Sequence, residues 1–408
     1  MEWVQEGSVT TPAGFRVGSA RCGIKTTADQ PDVALIVSDG PVAAAGTFTQ
    51  NRFASPAVRW CRNRLPASEV RAIAVNAGIA NACTGRQGER NVEETARLTA
   101  ELVECRPEQV LVASTGQIGT QLPMARLREG IRKASAQLSA SVEAGRAAER
   151  AIMTTDTHPK ACAVRTTLNG APFHVGGMAK GAGMISPHMA TMLCFVTTDA
   201  AVPADMLQEA LVAAVRPTLN RVTVDGDTST NDTVLVLASG ASGAAVGRDG
   251  SGLDTVAPAL EAVLGQLAVM IASDGEGASK LLTVKVTGAA SEQDAERAAR
   301  AIAESPLVKC AVYGADPNWG RIVCALGYCG ARLDTAATVV RIGDMAVFDA
   351  SRTDGPGAGA EAMQQAEQHM QEPEVLIHAD LGAGTAEATV LGCDLTEDYV
   401  RINAHYHT

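Results

Sequence analysis

Short runs of β-branched and aliphatic residues punctuate the chain at Val33–Val37, Val70–Val75, Val110–Val112, Cys194–Thr197, Thr233–Leu237, Leu281–Thr287 and Val339–Ile342. Their length and composition predict strands. Between them lie helical patterns. Val92 to Glu104 places Leu98, Leu102 and Val103 on one face, and Pro203 to Val215 carries its proline where a helix starts. A third helix is predicted from Ser291, whose Asp294 completes a capping signature, to a stop before Pro306. Interleaved strands and helices make the fold class α/β (α+β). The stretches Ser239 to Leu253 and Thr353 to Ala360 are glycine-bearing but short, and read as surface loops between periodic segments.

Composition narrows the possibilities. At 408 residues and 42.1 kDa there is room for two ordinary domains or one large α/β unit. Aromatics are only 3%, so the core must be built from Ala, Val, Leu, Ile and Met, and small side chains bring elements close together. The same scarcity argues against base stacking, and 34 Lys+Arg against 45 Asp+Glu leave a net charge of −11, the wrong sign for a nucleic-acid partner. The charge is uneven: residues 1–190 carry 21 basic and 16 acidic side chains, residues 191–408 carry 13 and 29. Halves of opposite sign attract. The acidic start Met1-Glu-Trp-Val-Gln-Glu and the lack of a run of ~18–20 apolar residues predict a cytoplasmic protein with no membrane partner. Ten cysteines, widely spaced and without a Cys-x-x-Cys pair, predict reduced and mostly buried thiols.

Several familiar chemistries fail on spacing. Asp225-Gly-Asp227-Thr-Ser229-Thr-Asn231-Asp232 starts like a calcium loop, but Thr230 stands where glycine is needed and Val236 where the closing glutamate belongs. It reads as a polar turn before a buried strand. His405-Ala-His407 has ligand types without further partners and reads as a solvated tail. The signatures of zinc proteases, α/β-hydrolases, P-loop kinases and Rossmann oxidoreductases are all missing.

One string stands out: Gly176-Gly-Met-Ala-Lys180-Gly-Ala-Gly183-Met-Ile-Ser-Pro187-His-Met-Ala190-Thr191-Met-Leu-Cys. A glycine-rich segment holds a single lysine, Pro187 stiffens the chain beyond it, and Ala-Thr comes just before a predicted strand. By spacing alone this is also a plain loop entering the core. The whole string, however, closely resembles the activation motif of the ornithine acetyltransferase family. Matching motifs stand in family order: Asn76 to Gly85, Ala113 to Gly119, Met153 to Lys160, Asp225 to Asp232, Ser273 to Lys280, Gly314 to Arg321, and Ile402 to Thr408. Gln117, where the family usually has a small apolar residue, and the neighbours Ser186 and His188 depart from the pattern without replacing a proposed catalytic group.

The resemblance implies an α/β/β/α sandwich with intertwined α and β chains, made as one polypeptide that cuts itself between Ala190 and Thr191. Residues 1–190 become the α chain and 191–408 the β chain, assembled as an α2β2 heterotetramer. Thr191 becomes the N-terminal nucleophile, Thr115 and Gly116 the oxyanion hole, and Thr154, Lys180, Thr191, Glu276, Asn403 and Thr408 the substrate contacts. The implied reaction passes the acetyl group of N2-acetyl-L-ornithine to L-glutamate through an acetyl-Thr191 intermediate. It needs no metal and no cofactor, although acetyl-CoA can serve as a donor in a bifunctional member. Elementary chemistry agrees: a threonine hydroxyl is a weak nucleophile, while a freed α-amine with a reference pKa of ~7.7–8.0 is a usable base. Read alone, Lys180 would be a solvated surface lysine and Glu276 a helix-start residue before Ala278 to Leu282. Two other functions fit parts of this pattern, a self-cleaving amidohydrolase or aminopeptidase using water as acceptor, and an uncut binder of acetylated amino acids.

Overall fold

The computed structural model describes residues 1–25, 29–186, 192–353, 355 and 357–405, and among these lie fourteen strands and eleven α-helices. A large sheet collects β1 (Glu2–Trp3), β2 (Phe15–Ala20), β3 (Val33–Phe48), β4 (Ala67–Ile79), β5 (Val110–Gln117), β6 (Lys160–Leu168), β7 (Ala171–Lys180), β8 (Leu193–Thr198) and β9 (Thr233–Ala238). A five-stranded sheet holds β10 (Leu281–Ala289), β11 (Val339–Ile342), β12 (Met345–Asp349), β13 (Glu374–Asp380) and β14 (Ala386–Cys393). The helices are α1 (Pro56–Arg62), α2 (Gly85–Leu102), α3 (Met124–Ser135), α4 (Val142–Ile152), α5 (Ala204–Val215), α6 (Leu253–Ser273), α7 (Glu292–Glu304), α8 (Pro306–Tyr313), α9 (Trp319–Tyr328), α10 (Ala360–Met370) and α11 (Glu397–His405).

Alternation along the strands decides the layers. On β8, Leu193 and Phe195 enter one apolar cluster and Cys194 and Val196 another; on β9, Leu235 and Leu237 part from Val234 and Val236 in the same way. On β4, Ile73 and Val75 join the cluster that holds Phe195, whereas Ala72 and Ala74 face α2 and α3 with Val92, Leu127 and Ile131. The outer face of β6 to β9 meets Leu207 and Leu211 of α5 and Leu260, Val263 and Leu267 of α6. The large sheet is thus folded over itself, with helices outside both halves, and the α/β/β/α sandwich implied by the resemblance is what the chain forms. β3 makes the corner: residues 33–37 pair with β2 and β4, residues 43–48 with β9.

The interleaving crosses position 190. β8 and β9 lie between β7 and β3 in the strand order, so strands from both sides of the Ala190–Thr191 bond share one hydrogen-bonded sheet. The five-stranded sheet stands beyond the sandwich, with α7 covering β10 and β14 through Ala295, Ala299 and Ile302. Thr223 joins it to the rest by donating its N–H to the Leu391 carbonyl at 2.8 Å.

Some local expectations need correcting. Helix α2 starts at Gly85 rather than Val92, because its inward stripe includes the polar residues Asn91, Thr95 and Thr99, which no apolar periodicity reveals. Two of those hydroxyls are satisfied within the helix, Thr95 donating to the Asn91 carbonyl at 2.8 Å and Thr99 to that of Thr95 at 2.9 Å. Leu102 falls off the edge of this stripe and is exposed, unlike Leu98 and Val103. Helix α7 does begin after Ser291, whose Oγ accepts from the Asp294 N–H at 3.1 Å. The thiols are not mostly buried: Cys61, Cys162, Cys194 and Cys393 are, while Cys83, Cys310 and Cys324 are exposed. Helix α6 is long and apolar enough to cross a bilayer by length and composition, yet nine of its residues are buried in the sandwich.

Phe195 is fully buried where the two sheet halves meet. A Phe195→Ala substitution should cost about 3–5 kcal/mol. Urea unfolding checks this, and an unchanged midpoint would contradict the layer assignment.

Candidate active site

Six chain segments end at one cleft of about 190 Å³. β5 brings Thr115 and Gly116, the turn after α4 brings Thr154, and Lys180 closes β7. The turn between α6 and β10 supplies Glu276, and α11 supplies Tyr399 and Asn403. The segment before β9 adds Asp225, Asp227, Ser229, Thr230 and Asn231. Every described residue among the expected site positions therefore lines this one cleft. Ala190, Thr191 and Thr408 lie outside the described residues. β8 begins with Leu193, paired to Lys180 on one side and Thr233 on the other, which ties the start of that strand to the cleft wall.

Glycine is needed at the floor. Gly116 has φ +122° and lies opposite Gly78 on the parallel strand β4, and a Cβ built on Gly116 would sit 2.2 Å from the Gly78 carbonyl carbon. The two backbones approach there as closely as only a glycine at 116 allows. Next to it, Lys180 Nζ donates to Thr115 Oγ1 at 3.5 Å, the outer reach of a hydrogen bond. An ammonium has only protons to offer, so the hydroxyl oxygen accepts and its own hydrogen remains free for another acceptor.

Lys180 is only 5% exposed, which overturns its reading as a solvated surface lysine. It is the inner end of a ladder of alternating charge. Asp156 lies 4.0 Å from Lys180 Nζ and accepts from Lys160 Nζ at 2.8 Å; Lys160 in turn donates to Asp274. Asp156 also accepts the N–H of Gly181 at 2.6 Å and that of Thr154 at 3.0 Å. One carboxylate thus fixes two expected substrate contacts. Burial by itself would raise the Asp156 carboxyl, but Lys180 and Lys160 outweigh it and hold it well below the usual carboxylate range. Burial pulls the Lys180 ammonium down, opposed by Asp156, Glu276 and Asp232 and reinforced by Lys160.

Glu276 is not a helix-start residue, because Leu281 and Leu282 open β10. Its Oε2 accepts from Asn403 Nδ2 at 2.8 Å, and its N–H donates to the Ala182 carbonyl at 2.8 Å. The carboxylate rests on Gly183, where a Cβ would come within 2.3 Å of it. Its place depends on that missing side chain.

Residues 225–232 do more than turn the chain before β9. Asn231 Nδ2 donates to the carbonyls of Ala80 at 2.7 Å and Ser114 at 2.8 Å, joining the approach to β9 to the ends of β4 and β5. Asp225 accepts the N–H of Met184 at 2.6 Å and of Ile185 at 2.9 Å. Burial pushes its carboxyl up to about 6, against the lowering effect of those amides. Sequence reasoning assigns a role to neither residue, nor to Asp156. The available signal is an eight-residue polar run directly before an apolar strand, more hydrogen-bonding capacity than a surface turn uses. His405 lies on exposed helix, His407 is outside the described residues, and no cluster of three metal-ligating side chains occurs among those described. Cys194 is core, its thiol raised by burial.

A family model described as the ArgJ family matches residues 16–408. The arginine biosynthesis bifunctional protein ArgJ of Symbiobacterium thermophilum is 52% identical over 410 residues, covering 100% of both chains. That of a Synechocystis species is 45% identical over 414 residues, again covering 100% of both. Among solved structures, an ornithine acetyltransferase from Mycobacterium tuberculosis, complexed with ornithine, is 36% identical, with a TM-score of 0.43, covering 47% of this chain and 98% of its own.

The ladder makes a pH-dependent prediction. Asp156 has a folded value below its unfolded one of ~3.9, so its contribution is present at neutral pH and is lost as pH falls below about 4. Asp156→Asn should cost about 3 kcal/mol at pH 7, with Lys160 keeping Asp274 as partner. The gap to wild type in urea unfolding should narrow on acidification. A constant gap would show that charge is not its source.

Proposed function

The chain belongs to the ArgJ family, and we propose that this acetyltransferase of arginine biosynthesis works through an N-terminal Thr191 released by its own cleavage. Thr191 Oγ attacks the Ala190 carbonyl carbon, an ester forms as the C–N bond breaks, and the hydroxyl proton passes to the departing nitrogen. Water then hydrolyses the ester, leaving the Ala190 carboxylate and a free Thr191 amine and hydroxyl. The α chain is 1–190 and the β chain 191–408. Before the cut that nitrogen is an amide without basicity; afterwards it takes the proton of the hydroxyl beside it.

In the transfer cycle Thr191 Oγ attacks the acetyl carbonyl of N2-acetyl-L-ornithine, ornithine departs, and the amine of L-glutamate attacks the acetyl ester to give N-acetylglutamate. The carrying observation is the convergence of Thr115, Gly116, Thr154, Lys180, Glu276 and Asn403 on one cleft at the end of the sheet where β8 starts. Both oxyanions fall to the Thr115 hydroxyl and the Gly116 N–H. Support comes from Lys180, which occupies the Thr115 oxygen and leaves its hydrogen to donate. Lys180 suits the substrate carboxylate and Glu276 the side-chain ammonium of the ornithine donor, with Thr154, Asn403 and Thr408 supplying neutral hydrogen bonds. No metal or cofactor enters this cycle. Acetyl-CoA is a second donor to the same Thr191, and the mature enzyme is an α2β2 heterotetramer.

N-terminal sequencing of purified protein should show a chain beginning Thr-Met-Leu-Cys beside the original start. Thr191→Ala should remain a single 42.1 kDa species and lose acetyl transfer. Full-speed transfer by that variant, or by uncut wild type, would end this reading. Acetate release without glutamate at the transfer rate would make the protein a hydrolase, and glutamate acetylation from acetyl-CoA alone tests the second donor.

In fully cut protein, Thr115→Val should lower kcat by about 10²–10³ with little change in KM. Glu276→Gln should instead raise KM for acetylornithine. An unchanged KM would remove the ammonium assignment.

A further inference from the structure

The Ala190–Thr191 bond lies in a short span whose two ends are held by the same neighbour. Upstream, Met184 is a non-glycine residue at φ +56°, a conformation that needs outside support. Its N–H and that of Ile185 converge on the Asp225 carboxylate at 2.6 and 2.9 Å, successive amides gripping one anion. The same carboxylate accepts the Asp227 N–H at 3.2 Å and the Tyr399 hydroxyl at 3.4 Å. The next links also come from this stretch: the Ile185 carbonyl accepts from the Val224 N–H at 2.8 Å, and the Ser186 carbonyl from Thr228 Oγ1 at 3.2 Å. Downstream, the Met192 carbonyl accepts from the Thr233 N–H at 3.0 Å. Residues 224–233 therefore hold the described residues on either side of positions 187–191.

We propose that Asp225 is the positioning residue for self-cleavage, fixing the upstream end by its grip on the Met184 and Ile185 amides. This rests on scission at Ala190–Thr191 and extends it to a residue that takes no part in the covalent step. Attack of a hydroxyl on the carbonyl before it is sensitive to small misplacements, and an error near 1 Å costs on the order of 10²-fold in rate. Asp225 fixes geometry through four donors, and an asparagine amide would turn N–H groups toward one pair of them, so the loss of rate is read beside the loss of stability.

The test monitors cleavage of freshly made full-length chain by intact mass, alongside melting temperature, for wild type, Asp225→Asn and Asp225→Ala. Asp225→Asn keeps the shape and one acceptor oxygen but loses the second, and should cut about tenfold more slowly at a temperature where its melting curve shows it fully folded; Asp225→Ala should cut about 10²-fold more slowly. Added formate, a carboxylate small enough for the vacated space, should speed Asp225→Ala and leave wild type unchanged. Cleavage of both variants at the wild-type rate would overturn the proposal. So would a loss of rate that tracks a loss of melting temperature and is not relieved by formate. Wild type that never cuts would instead bring down the scission reading itself, which separates the two failures.

Discussion

Everything at this site depends on β8 being held on both edges and both faces. It pairs antiparallel with β7 and parallel with β9, and its alternate side chains fill the two apolar layers on either side. A strand in that position cannot leave without opening the sandwich. The consequence for the proposed chemistry is direct: a cut just ahead of β8 separates the chain covalently while changing nothing in the sheet that positions its new end. The nucleophile can be born inside a finished fold.

The cleft is assembled from pieces that mean little singly. Thr115 and Gly116 come from a strand end, Lys180 from another, Glu276 from a turn and Asn403 from the last helix. Buried polar side chains hold them in register. Asp156 joins Thr154, Lys180 and Gly181; Asn231 joins the ends of β4 and β5; Gly183 makes room for the Glu276 carboxylate. Placement of the cleft residues is a matter of backbone amides and carbonyls caught by a few buried side chains, the kind of network that is worth more intact than the sum of its contacts.

Legibility in the sequence depends on which signals are local. Strands such as Val339–Ile342 and Thr233–Leu237 are short runs rich in β-branched and aliphatic residues and can be read from that alone, while the Ser291 cap of α7 is read from its Asp294 partner. Helix α2 is only half visible because it turns Asn91, Thr95 and Thr99 inward, and α6 is hidden with Pro258 inside it. Of the five-stranded sheet, β12, β13 and β14 give no clear run, being alternately exposed along their length. Site residues are a different case. Lys180 and Glu276 point nowhere by themselves, and their grouping comes from the resemblance of whole motifs. Asp156, Asp225 and Asn231 sit inside those motifs without a role, since each also binds a backbone group far away in sequence, Gly181, Met184 and Ser114 among them.

The ladder from Asp274 to Lys180 holds two cations and two anions, and their formal charges sum to zero. Its members are almost wholly enclosed, so mobile ions cannot gather around them as they do around the −11 exterior. The positive end beside Thr115 is consequently an internal fixture, and the field it casts on the Thr115 hydroxyl will be much the same in dilute buffer and in concentrated salt.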